Sequence, residues 1–84
     1  MSTLTFEAHA LAAKISFTEH ELIVALVDGR TLTVPLEWFP RLRKASKSEL
    51  ANYELLGDGE GIHWPDIDED ISVEGLLRGA SATG

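Results

Sequence analysis

The sequence predicts an α+β domain: a small antiparallel sheet, made of an N-terminal three-stranded meander plus one or two further short strands, with two or three short helices. Three features predict it. Asp28-Gly29 lies between two apolar, β-branched runs; after Pro35 the two-residue alternation gives way to helix-start signals; and Gly57, Gly59 and Gly61 divide a last pair of short runs. With 84 residues, the chain is expected to form one domain over 1–84, with an ordered core at about 12–79 and a flexible small-residue tail at 80–84.

Residues 13–18 alternate loosely and are expected to form the first strand, with Glu19-His20 in the turn that follows. The second and third strands are expected at 22–27 and 30–34. Asp28-Gly29 is a favoured two-residue type I′ turn, and closing it places Val27 opposite Arg30, Ala25 opposite Leu32, and Ile23 opposite Val34. Ile23, Ala25, Leu32 and Val34 then form the core face. Leu22, Val24 and Leu26 are left on the other face with Thr31 and Thr33, a half-apolar surface that either lies under another segment or meets a partner, as in a homodimer.

Pro40 suits the first position of a helix because its φ is fixed and its missing N–H would be unpaired there anyway. A short helix is expected from 40 to about 45. Ser46-Lys47-Ser48-Glu49 has capping-box spacing, in which hydroxyl and carboxylate each satisfy a free N–H, so a second helix should run to about 51. Residues 53–56 read as a strand, 57–61 as a glycine turn, and Ile62-His63-Trp64 as a brief strand ending at Pro65. Residues after Pro65 read as an acidic loop. Ser72 caps a final helix with Val73, Leu76 and Leu77 on one side, stopped by Gly79.

Seven Lys and Arg against fourteen Asp and Glu give a net charge of -7. Half of the acids, Asp58, Glu60, Asp66, Asp68, Glu69, Asp70 and Glu74, fall within residues 58–74, which hold no Lys or Arg. Arg41, Arg43, Lys44 and Lys47 cluster centrally. Such a field disfavours nucleic acid overall and either favours a basic protein surface or is a solvated acidic face that only confers solubility. There is no cysteine, which removes disulfides, thiolate nucleophiles and cysteine-zinc sites. The N-terminus lacks a basic segment followed by an apolar run, and no stretch approaches the roughly 18 apolar residues of a membrane span, so a cytoplasmic location with no membrane partner is expected.

Candidate chemistry is sparse. Asp66, Asp68 and Asp70 alternate like the first three ligands of a calcium loop, but Ile71 stands where that loop needs glycine and Leu77 where it needs a bidentate glutamate. His63, with Glu60 and Asp66 nearby, could be drawn as a metal or acid-base site. It lacks convergent ligands, because His9 and His20 are distant, and reads instead as a hydrogen-bonded structural side chain. Asp58 and Glu60 put negative charge where a phosphate would sit among Gly57, Gly59 and Gly61. No serine has a histidine-carboxylate setting, so no catalytic residue, metal or cofactor is expected. Trp38, Phe39 and Trp64 read as core aromatics, with an exposed anchor as the alternative.

The run Asp28-Gly29-Arg30 to Val34-Pro35-Leu36-Glu37-Trp38-Phe39-Pro40-Arg41-Leu42, then Tyr53-Glu54-Leu55, then the segment from Gly61-Ile62-His63-Trp64-Pro65-Asp66 to Leu77, resembles the bacterial family called domain of unknown function 2442. The resemblance covers about residues 20–79 and implies a compact α+β fold with an antiparallel sheet. It carries over no catalytic residue. It also implies that some relatives act as one half of a two-protein unit of toxin–antitoxin type, and that some longer relatives append a helix-turn-helix domain, for which a chain ending at Gly84 is expected to have no room.

The expected function is a non-enzymatic protein-interaction module, the antitoxin or regulatory half of such a unit, covering a small basic protein with His63, Trp64, Asp66, Asp68, Glu69, Asp70 and Glu74. One alternative is a nucleic-acid-associated regulator using Arg41, Arg43, Lys44 and Lys47, whose few phosphate contacts the acidic remainder opposes. The other is a domain with a purely structural or oligomerisation role.

Overall fold

The computed structural model describes residues 10–79. Two three-stranded antiparallel sheets share one core. The first is the meander β1 (Ala12–Phe17), β2 (Glu21–Leu26) and β3 (Thr31–Pro35); the second is β4 (Glu54–Leu56), β5 (Gly61–Trp64) and β6 (Glu69–Ser72). Between the sheets run a 3-10 turn (Leu36–Trp38), α1 (Pro40–Lys44) and α2 (Lys47–Ala51), and α3 (Val73–Leu77) follows β6. His9, named above, and the expected tail at 80–84 lie outside the described residues.

The α+β class and the helix signals hold. Pro40 opens α1, and the capping box forms, with Glu49 N donating to Ser46 Oγ and Ser46 N to the Glu49 carboxylate. Ser72 Oγ accepts from Gly75 N to start α3, and Gly79, at φ +84°, ends it. Val73 and Leu76 enter the core, whereas Leu77 is exposed, because successive residues on a helix lie about 100° apart.

The β2–β3 hairpin differs from its expected register by one residue. Leu22 lies opposite Val34, Val24 opposite Leu32, and Ala25 opposite Thr31. The loop holds three residues rather than two: Leu26 N donates to Arg30 O at 2.8 Å, Gly29 N donates to Leu26 O at 3.0 Å, and Gly29 takes φ +98°. Asp28 stabilises this turn by accepting from Arg30 N at 3.0 Å and Arg30 Nε at 2.8 Å. A one-residue slip exchanges the faces of a strand. The observed register buries Leu22, Val24 and Leu26 and leaves Ile23 and Ala25 half-buried. The expected one would have buried a single isoleucine and an alanine instead. At about 1.5–3 kcal/mol per large aliphatic side chain, core formation outweighs the two-residue turn preference. The Leu22, Val24 and Leu26 face is therefore core, and a second copy cannot dock on it.

The second correction is at 69–72, expected to be loop. It is strand β6, with Ile62 opposite Ile71, His63 opposite Asp70, and Trp64 opposite Glu69. Pairing with β5 satisfies the backbone, and Ile71 joins Ile62 in the core.

Trp64 joins the two sheets. It is fully buried, meets Phe17 of β1 edge-to-face at 6.2 Å between ring centres, lies 6.4 Å from the Tyr53 ring, and donates from Nε1 to Leu50 O of α2 at 3.1 Å. Phe39 is also core and Trp38 is half-buried against it. A second joint lies at Gly59, whose carbonyl accepts from Ala12 N at 2.7 Å. Gly59 takes φ +108°, and a Cβ there would stand 2.3 Å from Ala12 O, so only glycine fits this approach.

Trp64→Ala should destabilise the fold by about 3–5 kcal/mol, since it removes a buried aromatic and leaves a cavity between the sheets; chemical denaturation checks this. Gly59→Ala and Gly29→Ala share the backbone strain of a positive φ, about 1–3 kcal/mol. Only Gly59 faces a backbone overlap, whereas nothing lies within 4 Å of a Cβ at Gly29. Gly59→Ala should therefore lower the melting temperature well beyond Gly29→Ala, and equal losses would show that the close approach to Ala12 contributes little.

Candidate functional site

Because side chains alternate along a strand, the second sheet has one face in the core and one outside. Ile62, Trp64 and Ile71 point inward. On the outer face Glu54, His63 and Asp70 stand directly opposite one another on three adjacent strands. His63 occupies the centre and hydrogen-bonds through Nδ1 to Asp70 Oδ1. That bond, opposed by partial burial and reinforced by the negative charges of Asp70, Glu54 and Asp68, holds the imidazole pKa above its ordinary value. His63 is thus a hydrogen-bonded side chain, as expected, and its partner is Asp70. Ser72, on the same face, has its hydroxyl engaged with Gly75 N.

Residues 65–68 form the turn between β5 and β6. Asp68 takes the left-handed conformation at φ +53°, which aspartate tolerates better than most residues. The turn is held from both sides. Arg41 Nη1 of α1 donates to Asp68 O at 2.7 Å, and Asn52 Nδ2, just past α2, donates to Asp66 Oδ2 at 3.0 Å. Neither Arg41 nor Asn52 is near the turn in sequence, and no local pattern pairs them with it.

Of the residues expected to meet a partner, Asp66, Asp68, Asp70 and Glu74 are exposed and His63 is half-buried. Trp64 and Glu69 are buried. Trp64 is therefore not a surface anchor. Glu69 points toward the core side of β6, with Arg41 Nη1 3.8 Å from Oε1. Burial raises its carboxyl pKa, Arg41 opposes the rise, and the charges of Asp70 and Asp68 add to it. Arg41, Arg43, Lys44 and Lys47 are all exposed on α1 and α2, but Arg41 is committed to the acidic turn. Among the described residues, no three or more His, Asp or Glu side chains are arranged to hold a metal ion, and no helix is long and apolar enough to cross a membrane. The outer face is thus an anionic surface with one protonatable ring at its centre. The sequence showed the acids and the histidine; it did not show Glu54 beside them, because that adjacency arises only from the β4–β5 pairing.

The pattern of the family described as protein of unknown function (DUF2442) matches residues 12–82, a span that includes every strand and helix of the described residues. The chain belongs to the DUF2442 family. A protein of unknown function from Rhodospirillum rubrum, solved by crystallography, is 34% identical with a TM-score of 0.76, over 88% of this chain and 92% of that one. An uncharacterised protein from Chromobacterium violaceum, solved by NMR, is 22% identical with a TM-score of 0.72, over 86% of this chain and 68% of that one; at this identity the likeness is one of fold. No functionally curated protein matches the chain. The DUF2442 fold thus accommodates considerable sequence divergence.

A raised histidine pKa has a defined sign in stability. The protonated His63–Asp70 pair contributes fully below the ordinary histidine value of about 6.5, and its contribution is lost as pH rises through the higher folded value. Asp70→Asn should return the His63 titration, followed by NMR of the ring protons, toward the ordinary value and flatten the stability profile in that window. An unchanged titration would assign the shift to Glu54 and Asp68.

Proposed function

We propose that this DUF2442 protein is a non-catalytic interaction module whose binding face is the outer surface of the second sheet together with the 65–68 turn. In this reading it is the antitoxin or regulatory half of a two-protein unit, and its partner is a small basic protein. The observation that carries the proposal is the placement of charge: Glu54, Asp66, Asp68, Asp70 and Glu74 are exposed around His63 on the outer side of one short sheet and at its adjoining ends. Clustered like charges repel one another in the free domain, and a cationic partner relieves that repulsion and is steered toward it. Protonation of His63 reduces the negative charge of the face, so binding should be stronger above the His63 pKa than below it.

Asp68→Asn with Glu74→Gln tests the reading without touching the His63–Asp70 or Asn52–Asp66 contacts, and asparagine suits the left-handed backbone at 68. The double variant should melt with the parent protein yet retain less of a small basic protein captured from the host, with a shallower dependence on salt. Equal retention and equal salt dependence would overturn the proposal. Capture of nucleic acid instead, abolished by neutralising Arg43, Lys44 and Lys47, would transfer the function to the basic helices.

A further inference from the structure

We infer that the slot between the end of β1 and α2 is a small-molecule site, which takes an uncharged, largely apolar ring carrying a cis-amide edge of the lactam kind. The inference rests on the backbone of Phe17 and is independent of the acidic face. Strand β1 is an edge of the first sheet. Thr18 N donates to Glu21 O, so the alternation of the antiparallel ladder turns the N–H and C=O of Phe17 away from β2. Ala12 N and Ile15 N, on the same strand, donate to Gly59 O at 2.7 Å and to the Tyr53 hydroxyl at 3.3 Å. Among the described residues the N–H and C=O of Phe17 have no such partner. Tyr53, which reaches the edge at Ile15, also lines a slot of about 700 Å³ with Phe17, Leu50 and Ala51, so the outward groups of Phe17 open onto it. That volume lies within the range of about 300–1,000 Å³ typical of ligand sites.

The backbone of one residue specifies the occupant's polar edge. An outward-facing residue of an edge strand presents a donor and an acceptor side by side, the pair it would exchange with the residue opposite in a ladder. A single such pair is too little to hold an added strand, and it is all that a cis-amide needs: the ring C=O accepts from Phe17 N–H, and the ring N–H donates to Phe17 C=O. The walls specify the rest. Ile15, Phe17, Leu50, Ala51 and Tyr53 make them largely apolar, which disfavours further polar groups on the ring, since a buried polar group without a partner is costly. One acid, Glu19, and one cation, Lys47, also line the slot, and their opposite charges offset. The slot therefore selects neither an anion nor a cation, and an uncharged ring fits.

The test titrates 2-quinolone, a bicyclic lactam, into the full chain and follows the backbone amides by NMR. Binding should shift the amides of residues 15–19 and 50–53, slow hydrogen exchange at Phe17 N–H, and depend little on salt. N-methyl-2-quinolone keeps the ring but lacks the N–H donor, leaving Phe17 C=O unpaired, and should bind about tenfold or more weakly. Ala51→Trp, a change at an exposed residue that fills the slot, should weaken 2-quinolone binding similarly while leaving the melting temperature unchanged. Equal binding of the two quinolones, or shifts confined to residues outside the slot, would overturn the inference. So would protection of Phe17 N–H from exchange in the chain without ligand, which would show the backbone pair to be already satisfied.

Discussion

The fold depends on the burial of Trp64. A three-stranded sheet of five- and six-residue strands, or of three- and four-residue strands, has too little apolar area to stand alone and needs a packed face. Trp64 supplies one contact surface for both sheets, since the ring that belongs to β5 touches Phe17 of β1 and the Tyr53 ring beside β4. Its indole N–H would be costly to bury unpaired, and the carbonyl of Leu50 at the end of α2 satisfies it. Sheet packing and the position of α2 are therefore set by the same side chain. Gly59 closes the other end of the junction, where backbone meets backbone and no side chain can intervene.

From that junction follows the division of the second sheet into an apolar inner face and an ionic outer one. Ile62, Trp64 and Ile71 are consumed by the core, so among the described residues the polar groups this sheet presents are those of Glu54, His63 and Asp70 on the outer side and of the turn at its end. Glu69 is the exception, an acid on the core side of β6. Its burial opposes ionisation, and Arg41 offsets that cost while also holding the Asp68 carbonyl. One guanidinium thus compensates a buried carboxylate and braces the turn.

The sequence made legible whatever is decided within a few residues. Pro40, the Ser46–Glu49 capping box, Ser72 and Gly79 each act across a single helical turn, and each is found where the pattern placed it. The hairpin was legible in kind but not in register, because Asp28-Gly29 is compatible with loops of two or three residues, and the choice between them was made by the core that Leu22, Val24 and Leu26 enter. Strand β6 was obscured for a related reason. Its Glu-Asp-Ile-Ser stretch carries more charge than a strand usually does, and only pairing with β5 and the inward turn of Ile71 make it one. The acids of the candidate site were visible, but the row containing Glu54 was not, since cross-strand neighbours are properties of register and not of sequence distance.

The same long-range contacts determine how the acidic surface is presented. Asp66 and Asp68 would be a loose loop if they were held only by their neighbours in sequence. Instead the turn receives Arg41 from α1 and Asn52 from beyond α2, while β5 and β6 anchor its two ends and Asp70 is tied to His63. Ordering a flexible loop costs about 1–2 kcal/mol of backbone entropy for each residue fixed, and a partner that meets an already ordered turn does not bear that cost. Folding bears it instead, through the burial of Trp64 and Ile71 on the opposite side of the same strands. A surface held in this way favours a partner that reads charge at fixed spacing over one that induces its own fit.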